Sequence, residues 1–136
     1  MRFDTKLAVV LRDDLPVWQK LNVTAFLVSG IAATVPDVVG EPYADGSGAA
    51  YLPMFRQPVL VFTADAVQIR TVYERARARA VSLAIFTEQL FETGHDEANR
   101  AAVRAVASAE LRLVGLGLRA ERNVVDKITK GLALHD

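Results

Sequence analysis

The clearest signal for the fold is the segment LAVVLRDDLP, residues 7–16. Its five apolar residues, 7–11, predict a strand that is covered on both faces, because both rows of side chains are apolar. Pro16 suits the first turn of a helix, where its missing N–H would have no partner. Asp13 and Asp14 come just before, where the helix dipole favours negative charge. The segment therefore predicts a buried strand that leads directly into a helix.

Strands and helices alternate along the rest of the chain. Apolar runs predict strands at 59–62, 80–86 and 111–118, and the glycines in the last run suggest close backbone approach. Helices are predicted at 18–32, 65–80, 96–107 and 121–130. The first is apolar nearly all round, so we expect it to be largely buried. The second opens at Asp65, with Gln68 completing a capping box, and carries an apolar stripe that ends at Ala80.

This alternation predicts a single α/β domain over residues 1–136. Its expected core is a small, mostly parallel mixed sheet of about four strands, flanked by helices.

The composition excludes several functional classes. The 136 residues are 51% hydrophobic, carry 16 basic and 16 acidic side chains, and include no cysteine. Missing cysteines exclude disulfides, thiolate nucleophiles and zinc sites built on sulfur. The neutral total charge argues against a dedicated nucleic-acid or membrane-surface protein, and the apolar runs are shorter than the roughly 20 residues that span a bilayer. We therefore expect a cytoplasmic protein with no membrane partner.

The usual catalytic motifs are missing as well. The sequence has no phosphate-cradling glycine loop, no G-x-S-x-G elbow and no helical pair of metal-binding histidines. Its two histidines, His95 and His135, are far apart. We therefore predict no metal site and no cofactor.

The stretch 35–57 interrupts the alternation. Together with Pro58, which closes it, the stretch holds four of the five prolines, three of the eight glycines and two of the three tyrosines. The sequence DGSG at 45–48 predicts the tip of a small hairpin joining Tyr43 to Tyr51. Structureless loops longer than about 12–15 residues are usually functional or mobile. We therefore interpret this stretch as a candidate ligand-binding loop.

The richest polar segment is TEQLFETGHDEANR, residues 87–100, directly after the third predicted strand. Ligands tend to bind at the carboxyl ends of parallel strands, which makes Thr87 and Glu88 candidate site residues. His95 and Asn99 are four residues apart and would share one side of a helical turn. The helix dipole there favours a neutral imidazole, which suits a base or a hydrogen-bonding group. The alternative is that the segment only caps a helix.

Two polar residues of the first helix have open roles. Lys20 could reach into a cleft and hold an anion, or extend its ammonium group to water. Asn22 needs a hydrogen-bond partner in so apolar a helix, and a structural partner is as plausible as a ligand. The second helix carries a basic patch that we interpret as a solvated surface rather than a phosphate site; it consists of Arg70, Arg75, Arg77 and Arg79.

The two ends of the chain resemble the peptidyl-tRNA hydrolase II family. Residues 6–15, followed by Gln19-Lys20, resemble its amino-terminal strand, which ends in Arg-x-Asp-Leu and leads to Gly-Lys and a helix. Residues 116–118 and 125–132 resemble its last strand and closing helix. Lys20 carries over, whereas residues 22–24 and 86–87 depart from the hydrolase pattern. The resemblance implies the hydrolase fold and leaves tRNA open as a partner, although nucleic acid is not otherwise expected.

A second resemblance covers nearly the whole chain. Residues 14–23, 51–54, 56–59, 87–91 and 95–100 are similar to the uncharacterised bacterial family called domain of unknown function 2000, which is thought to share the hydrolase fold. This resemblance implies a homodimer and assigns no reaction.

Two functional hypotheses account for these features, and whether the protein is an enzyme stays open. In the first, it binds a small ligand, for example an anion, near Lys20 and His95, and the loop 35–57 closes over the strand ends. The expected ligand-binding residues are Asn22, Tyr43, Tyr51, Met54, Arg56, Thr87 and Asn99.

In the second hypothesis the protein is a hydrolase of ester or peptidyl-tRNA type. Lys20 would stabilise developing negative charge, while His95 or Glu88 activates water. The candidate catalytic residues are therefore Lys20, Glu88 and His95.

Overall fold

Seven strands and four α-helices follow one another along residues 2–136, the part of the chain that the computed structural model describes. The strands are β1 (Thr5–Arg12), β2 (Tyr43–Ala44), β3 (Ala50–Tyr51), β4 (Val59–Ala64), β5 (Leu83–Thr87), β6 (Leu113–Glu121) and β7 (Ala133–Leu134). The helices are α1 (Val17–Thr34), α2 (Ala66–Ala78), α3 (Asp96–Arg104) and α4 (Arg122–Ile128). Each predicted strand and helix is confirmed, with shifted ends.

Five of the strands form one mixed sheet in the order β5-β6-β1-β4-β7. β1 and β4 are parallel, with Leu7 opposite Val59, whereas β6 is antiparallel to both β1 and β5 and β7 is antiparallel to β4. The predicted small mixed sheet flanked by helices is confirmed, with five strands instead of about four. The prediction that it is mostly parallel is wrong, since only one neighbouring pair among these five strands is parallel. An apolar run indicates that both faces of a strand are covered and carries no information about the direction of its neighbours.

Helices cover both faces of the sheet. On one face, Val9 and Leu11 of β1 pack with Val23 and Leu27 of α1. On the other face, alternate residues of β1 pack with α2 and α4, in a cluster that includes Ala8, Val10, Ile69, Val72 and Val125. The strand period of two thus divides β1 between two hydrophobic cores.

The glycines of β6 let α1 approach the sheet closely, as the sequence predicted. A Cβ atom at Gly115 would lie 2.5 Å from Val23 Cγ1, and one at Gly117 would lie 3.2 Å from Leu27 Cβ. Both positions are fully buried. No larger side chain fits at Gly115 without displacing the helix.

The expectation that α1 is largely buried is wrong. Its buried residues are Val23, Leu27 and Ile31, which form one stripe against the sheet. Large apolar side chains on the rest of the helix stay exposed: Val17 (72%), Trp18 (63%), Leu21 (68%) and Phe26 (54%). A helix on a sheet buries one face only, and no other element within residues 2–136 covers the opposite face of α1.

The start of α2 follows its sequence signal. Asp65 accepts a hydrogen bond from the backbone N–H of Gln68, and the Gln68 side chain accepts one from the backbone N–H of Asp65. The predicted stripe is buried as far as Ala76. Ala80 lies beyond the helix with a φ of 54°, in the left-handed region. This turn explains why β5 begins at Leu83 rather than at residue 80.

The loop 35–57 forms the predicted hairpin, with Tyr43 paired to Tyr51. It joins the end of α1 to the start of β4 and packs through Val38 against Leu7 and Ile31. Gln57 accepts a hydrogen bond from the Thr5 hydroxyl at 3.2 Å. The loop therefore lies at the amino ends of β1 and β4. None of the helices within residues 2–136 is long and apolar enough to cross a membrane.

Candidate functional site

A crevice is expected where β1 and β4 end side by side. From there, α1 leaves β1 over one face of the sheet and α2 leaves β4 over the other. Asp13 N–H donates to Ala64 O at 2.8 Å and holds the two strand ends together. Ligands of open α/β sheets bind at such a point, outside the carboxyl ends of the strands. The clefts near these strand ends are therefore the candidates for a functional site.

An aromatic cleft of about 420 Å³ opens beside the first turns of α1. Trp18, Asn22 and Phe26 form its α1 side, and the segment from Phe86 to Asn99 forms its other side. We call this the aromatic cleft. It lies toward the β5 edge of the sheet, because Phe86 belongs to β5.

The floor of the aromatic cleft is a group of three phenylalanines. Phe86 is nearly buried and pairs with Gly115 of β6. Its ring contacts Phe26 edge-on at 5.7 Å between centroids and contacts Phe91 at 5.1 Å. Edge-on and tilted pairs are the favoured arrangements of aromatic rings. The floor is thus formed before any ligand arrives.

The rim of the aromatic cleft is polar. His95 caps α3, and its Nδ1 accepts a hydrogen bond from Ala98 N–H at 3.3 Å. Since Nδ1 is the acceptor, Nε2 carries the proton of a neutral ring and can donate to a ligand. Asn99 also lines the cleft, and its side chain contacts the Thr93 hydroxyl. The helix cap of this segment is therefore His95 itself.

Lys20 lies away from this cleft, on the other side of α1. Its Nζ is 3.0 Å from Nε2 of His135, whose backbone N–H donates to Val61 O at 2.8 Å. This hydrogen bond continues the pairing of β7 with β4. Lys20 and His135 therefore lie at the edge of the sheet opposite β5. Nothing in the local sequence marks His135 as a partner of Lys20, because a two-residue strand has no detectable period.

Glu88 occupies a third place, on the α2 face of the sheet. Arg12 donates from Nη1 to Glu88 at 2.8 Å and from Nε to Asp14 at 2.6 Å. The hydrogen bond from Arg12 lowers the pKa of the Asp14 carboxyl. Arg112 Nη1 lies 3.7 Å from the other oxygen of Glu88. Glu88 thus joins two arginines and does not face His95.

The hairpin residues do not enclose any of these places within one chain. Tyr43, Tyr51, Met54 and Arg56 follow the end of α1 and precede β4, so they lie at the amino ends of the strands. The prediction that the loop 35–57 closes over the site is therefore wrong for a single chain. Connectivity explains the error, because a crossover helix returns the chain to the opposite end of the sheet before the loop begins.

Within the hairpin, Tyr51 donates its hydroxyl proton to Asp45 at 2.7 Å. This bond lowers the pKa of Asp45 and raises that of Tyr51.

The candidate site residues thus divide among separate places. His95, Asn99 and Asn22 line the aromatic cleft together. Thr87 is buried behind it with 1% exposure and does not line it. Lys20 and Glu88 lie elsewhere. Within residues 2–136, no group of three or more histidine, aspartate or glutamate side chains is placed to hold a metal ion.

Sequence reasoning missed the aromatic wall of the cleft. Trp18 and Phe26 read as core residues of a buried helix, and Phe86 as a core residue of a strand. Their spacing carries a weak signal, because Trp18, Asn22 and Phe26 recur every four residues and so share one side of α1. Phe91 is far from these residues in the sequence, and only the folded structure brings it to the same cleft.

Two comparisons place the chain among known proteins. Residues 5–136 match the sequence profile of the family described as "Protein of unknown function (DUF2000)". The solved structure of Atu0240, a protein of unknown function from Agrobacterium tumefaciens strain C58, is similar, with a TM-score of 0.96 and 49% sequence identity. The match covers 99% of this chain and 100% of that one. No curated protein matches the chain.

Neither match bears on the resemblance to peptidyl-tRNA hydrolase II, which stays a prediction. The resemblance to the domain of unknown function 2000 is confirmed over all the segments that suggested it. The chain therefore belongs to the DUF2000 family of proteins of unknown function.

Proposed function

We propose that this protein binds a small molecule in the aromatic cleft. The observation that carries the proposal is the meeting of exposed aromatic rings with hydrogen-bonding side chains in one concave site of about 420 Å³. Small-molecule sites have this character: mostly apolar walls, with a few convergent polar groups that orient the ligand.

The apolar walls favour a ligand with a flat hydrophobic body. Trp18 and Phe26 are more than half exposed although both are large aromatic residues. Covering them would remove apolar surface from water, at roughly 25 cal/mol per Å². The rings of Phe86 and Phe91 are already held in place, so a ligand need not order them. An aromatic ring system is therefore the body that this cleft fits best.

The rim favours a hydrogen-bond acceptor on that ligand. The free Nε2–H of His95 and the amide groups of Asn22 and Asn99 all line the cleft. Asp96 also lines it, but its carboxylate is paired with Arg100 at 2.6 Å. Donors therefore exceed free acceptors at the rim. A carbonyl or carboxylate group matches this rim, which agrees with the anionic ligand expected from the sequence.

Trp18 supplies the test, because it is the only tryptophan in the chain and it lines the cleft. Aromatic monocarboxylates, starting with phenylacetate, would be titrated while Trp18 fluorescence is recorded. We expect a saturable change, and Phe26→Ala should weaken the binding at least about fivefold, since a buried aromatic contact contributes more than about 1 kcal/mol. Tyr43→Ala, a truncation of a similarly exposed ring at the other end of the sheet, should leave the titration unchanged.

The polar rim has its own test. His95→Ala should weaken the binding of phenylacetate and leave that of toluene, which has the same ring and no hydrogen-bond acceptor, nearly unchanged. If no aromatic carboxylate produces a saturable fluorescence change, or if Phe26→Ala binds like the wild type while remaining folded, the proposal is rejected.

The alternative function is an ester or peptidyl-tRNA hydrolase that uses Lys20 with His95 or Glu88. One observation keeps it open: Lys20 lies 3.0 Å from an imidazole, that of His135 rather than His95. Turnover of peptidyl-tRNA and of simple esters should be compared in the wild type, Lys20→Ala and His95→Ala, with His135→Ala added. Activity that survives all three substitutions would reject this catalytic assignment, and a wild type without turnover would reject the hydrolase.

We also propose that two copies of the chain associate through α1. Val17 and Leu21 are about 70% exposed and lie one turn apart on this helix. Large contiguous apolar surfaces on soluble proteins usually mark interaction sites. A cytoplasmic location remains our expectation and would be tested by cell fractionation.

A further inference from the structure

A second cleft, of about 390 Å³, lies on the α2 face of the sheet. Its charged lining consists of Arg12 at the end of β1, Arg70 on α2, Glu88 after β5 and Arg112 before β6. We call it the arginine cleft. It is separate from the aromatic cleft, with which it shares no lining residue.

Arg70, whose guanidinium carbon lies 4.9 Å from the centroid of the Tyr73 ring, carries a buried nitrogen without a hydrogen-bond partner in the described part of the chain. Its Nη2 donates to Ser108 O at 2.7 Å, and its Nε lies 3.4 Å from Glu74. Its Nη1 is buried and has no hydrogen-bond partner within residues 2–136. Burying a charged donor without a partner costs free energy, so such groups are rare unless something else binds them. The solvated role that the sequence suggested for this arginine does not describe it.

The lining of the arginine cleft is positively charged. Three guanidinium groups line it against one carboxylate, Glu88, so hydrogen-bond donors outnumber acceptors in the lining. Asp14 and Glu74 stand next to the cleft and do not line it; each contacts the Nε atom of an arginine, Arg12 and Arg70 respectively. Arg112 is 70% exposed, and its one ion-pair contact, with Glu88, is long at 3.7 Å. Its guanidinium is therefore available to an incoming anion.

We propose that the arginine cleft binds a phosphoryl group. A phosphoryl group carries about two negative charges near neutral pH and offers three acceptor oxygens, which can take the guanidinium donors that the carboxylates leave unpaired, above all those of Arg112. Its oxygens also fit the planar fork of guanidinium donors, which binds phosphate bidentately. The cleft has the size of a small-molecule site, and Ala66 at the first turn of α2 lines it as well.

Glu88 acts in this proposal as an internal competitor of the ligand. Its carboxylate contacts both Arg12 and Arg112 in the unliganded chain. Because it repels the phosphoryl group and occupies two of the guanidinium groups, removing its charge should strengthen binding.

The test is an NMR titration of the full chain with inorganic phosphate and with ribose 5-phosphate, at constant ionic strength, with acetate as the control anion. We expect saturable shifts at the amides of Ala66, Arg70, Ala109 and Arg112, and none with acetate. Arg112→Ala should weaken binding at least about tenfold, because it removes charged hydrogen-bond donors from the phosphoryl oxygens. Glu88→Gln should tighten binding severalfold.

The matched control is Arg119→Ala, which removes an exposed arginine at the far end of β6, opposite Leu7. It should bind phosphate like the wild type. Tighter binding of ribose 5-phosphate than of inorganic phosphate would identify a phosphate ester as the ligand, and equal binding would identify free phosphate; both support the site. Shifts that are reproduced by acetate, that persist unchanged in Arg112→Ala, or that never saturate would overturn it. The proposal does not depend on the aromatic cleft.

Discussion

Gly115 shows how one residue sets the distance between α1 and the sheet. A Cβ atom there would lie 2.5 Å from Val23 Cγ1 and 3.0 Å from Leu27 Cδ1. Val23 is β-branched and fully buried, so it cannot rotate away without strain. The packing of this face therefore requires glycine at position 115 as much as it requires the apolar side chains around it.

Gly115→Ala should destabilise the protein. Overpacking a tight core costs roughly 1–3 kcal/mol, which exceeds the roughly 0.4–1 kcal/mol gained by restricting the unfolded chain. Urea denaturation would measure the free energy of unfolding. Gly30→Ala is the control, because its Cβ would lie 3.9 Å from Ala84 Cβ, an ordinary contact, and alanine favours a helix. An equal or greater stability of Gly115→Ala would contradict this account of the packing.

Asp14 should make the free energy of unfolding depend on pH. Its pKa is lowered in the folded protein by the hydrogen bond from Arg12. A lowered folded pKa contributes stability that is present above the unfolded value, about 3.9, and is lost as pH falls through the folded value. Asp14 is 61% exposed, so the contribution should stay below about 1 kcal/mol.

The measurement compares the unfolding free energy of the wild type and Asp14→Asn at about pH 7 and about pH 2. The wild type should be more stable than Asp14→Asn at the higher pH, and this difference should be smaller at the lower pH. Asp13→Asn, an exposed neighbour without an ion pair in the described structure, should show no such change. A difference that is independent of pH would mean that the Arg12 contact is not electrostatic.

At the scale of elements, the start of α2 carries the most complete local signal. Asp65 and Gln68 form both hydrogen bonds of a capping box. Asp65→Ala should lower the unfolding free energy by about 1 kcal/mol, whereas Asp65→Asn, which keeps an acceptor at this position, should change it by a few tenths. Urea denaturation tests both variants. An alanine variant as stable as the asparagine variant would show that tertiary packing alone fixes this helix start.

Elements with local signals were predictable, and those that depend on connectivity were not. The apolar run 7–11 and the cap at Asp65 indicate β1 and α2 because each signal lies within a few residues. The direction of β6 has no such signal, since a strand covered on both faces is apolar whichever way it runs. The same limit explains α1, whose exposed Leu21 cannot be told from a core residue by its chemistry.

The candidate site, too, was predictable only where its residues are close together in the sequence. The four-residue spacing of His95 and Asn99 places them on one side of a turn, and both line the aromatic cleft. The opposite wall comes from α1, and which side of that helix faces β5 is set by the order of strands in the sheet. For the same reason Lys20 faces His135 at the other edge. Sequence spacing cannot supply that order.

At the scale of the whole molecule, the described surface is unusually apolar along α1. Val17 and Leu21 lie exposed on the helix, next to the aromatic cleft that Trp18 lines. If two copies associate there, as we propose, the partner would cover this face and narrow the access to the cleft. Ligand binding and association would then be linked, and each would change the affinity of the other by the same factor.

Leu21→Glu should therefore convert a dimer into a monomer, because it places a charge in an apolar interface. Sedimentation velocity at several protein concentrations would measure the state of assembly. Val67→Glu is the matched control, since Val67 is equally exposed, at 75%, but lies on α2 across the sheet. A wild-type chain that sediments as a monomer, or a Leu21→Glu variant that remains a dimer, would contradict the proposed interface. If either result contradicts the interface, phenylacetate should bind both variants alike, because the aromatic cleft belongs to a single chain.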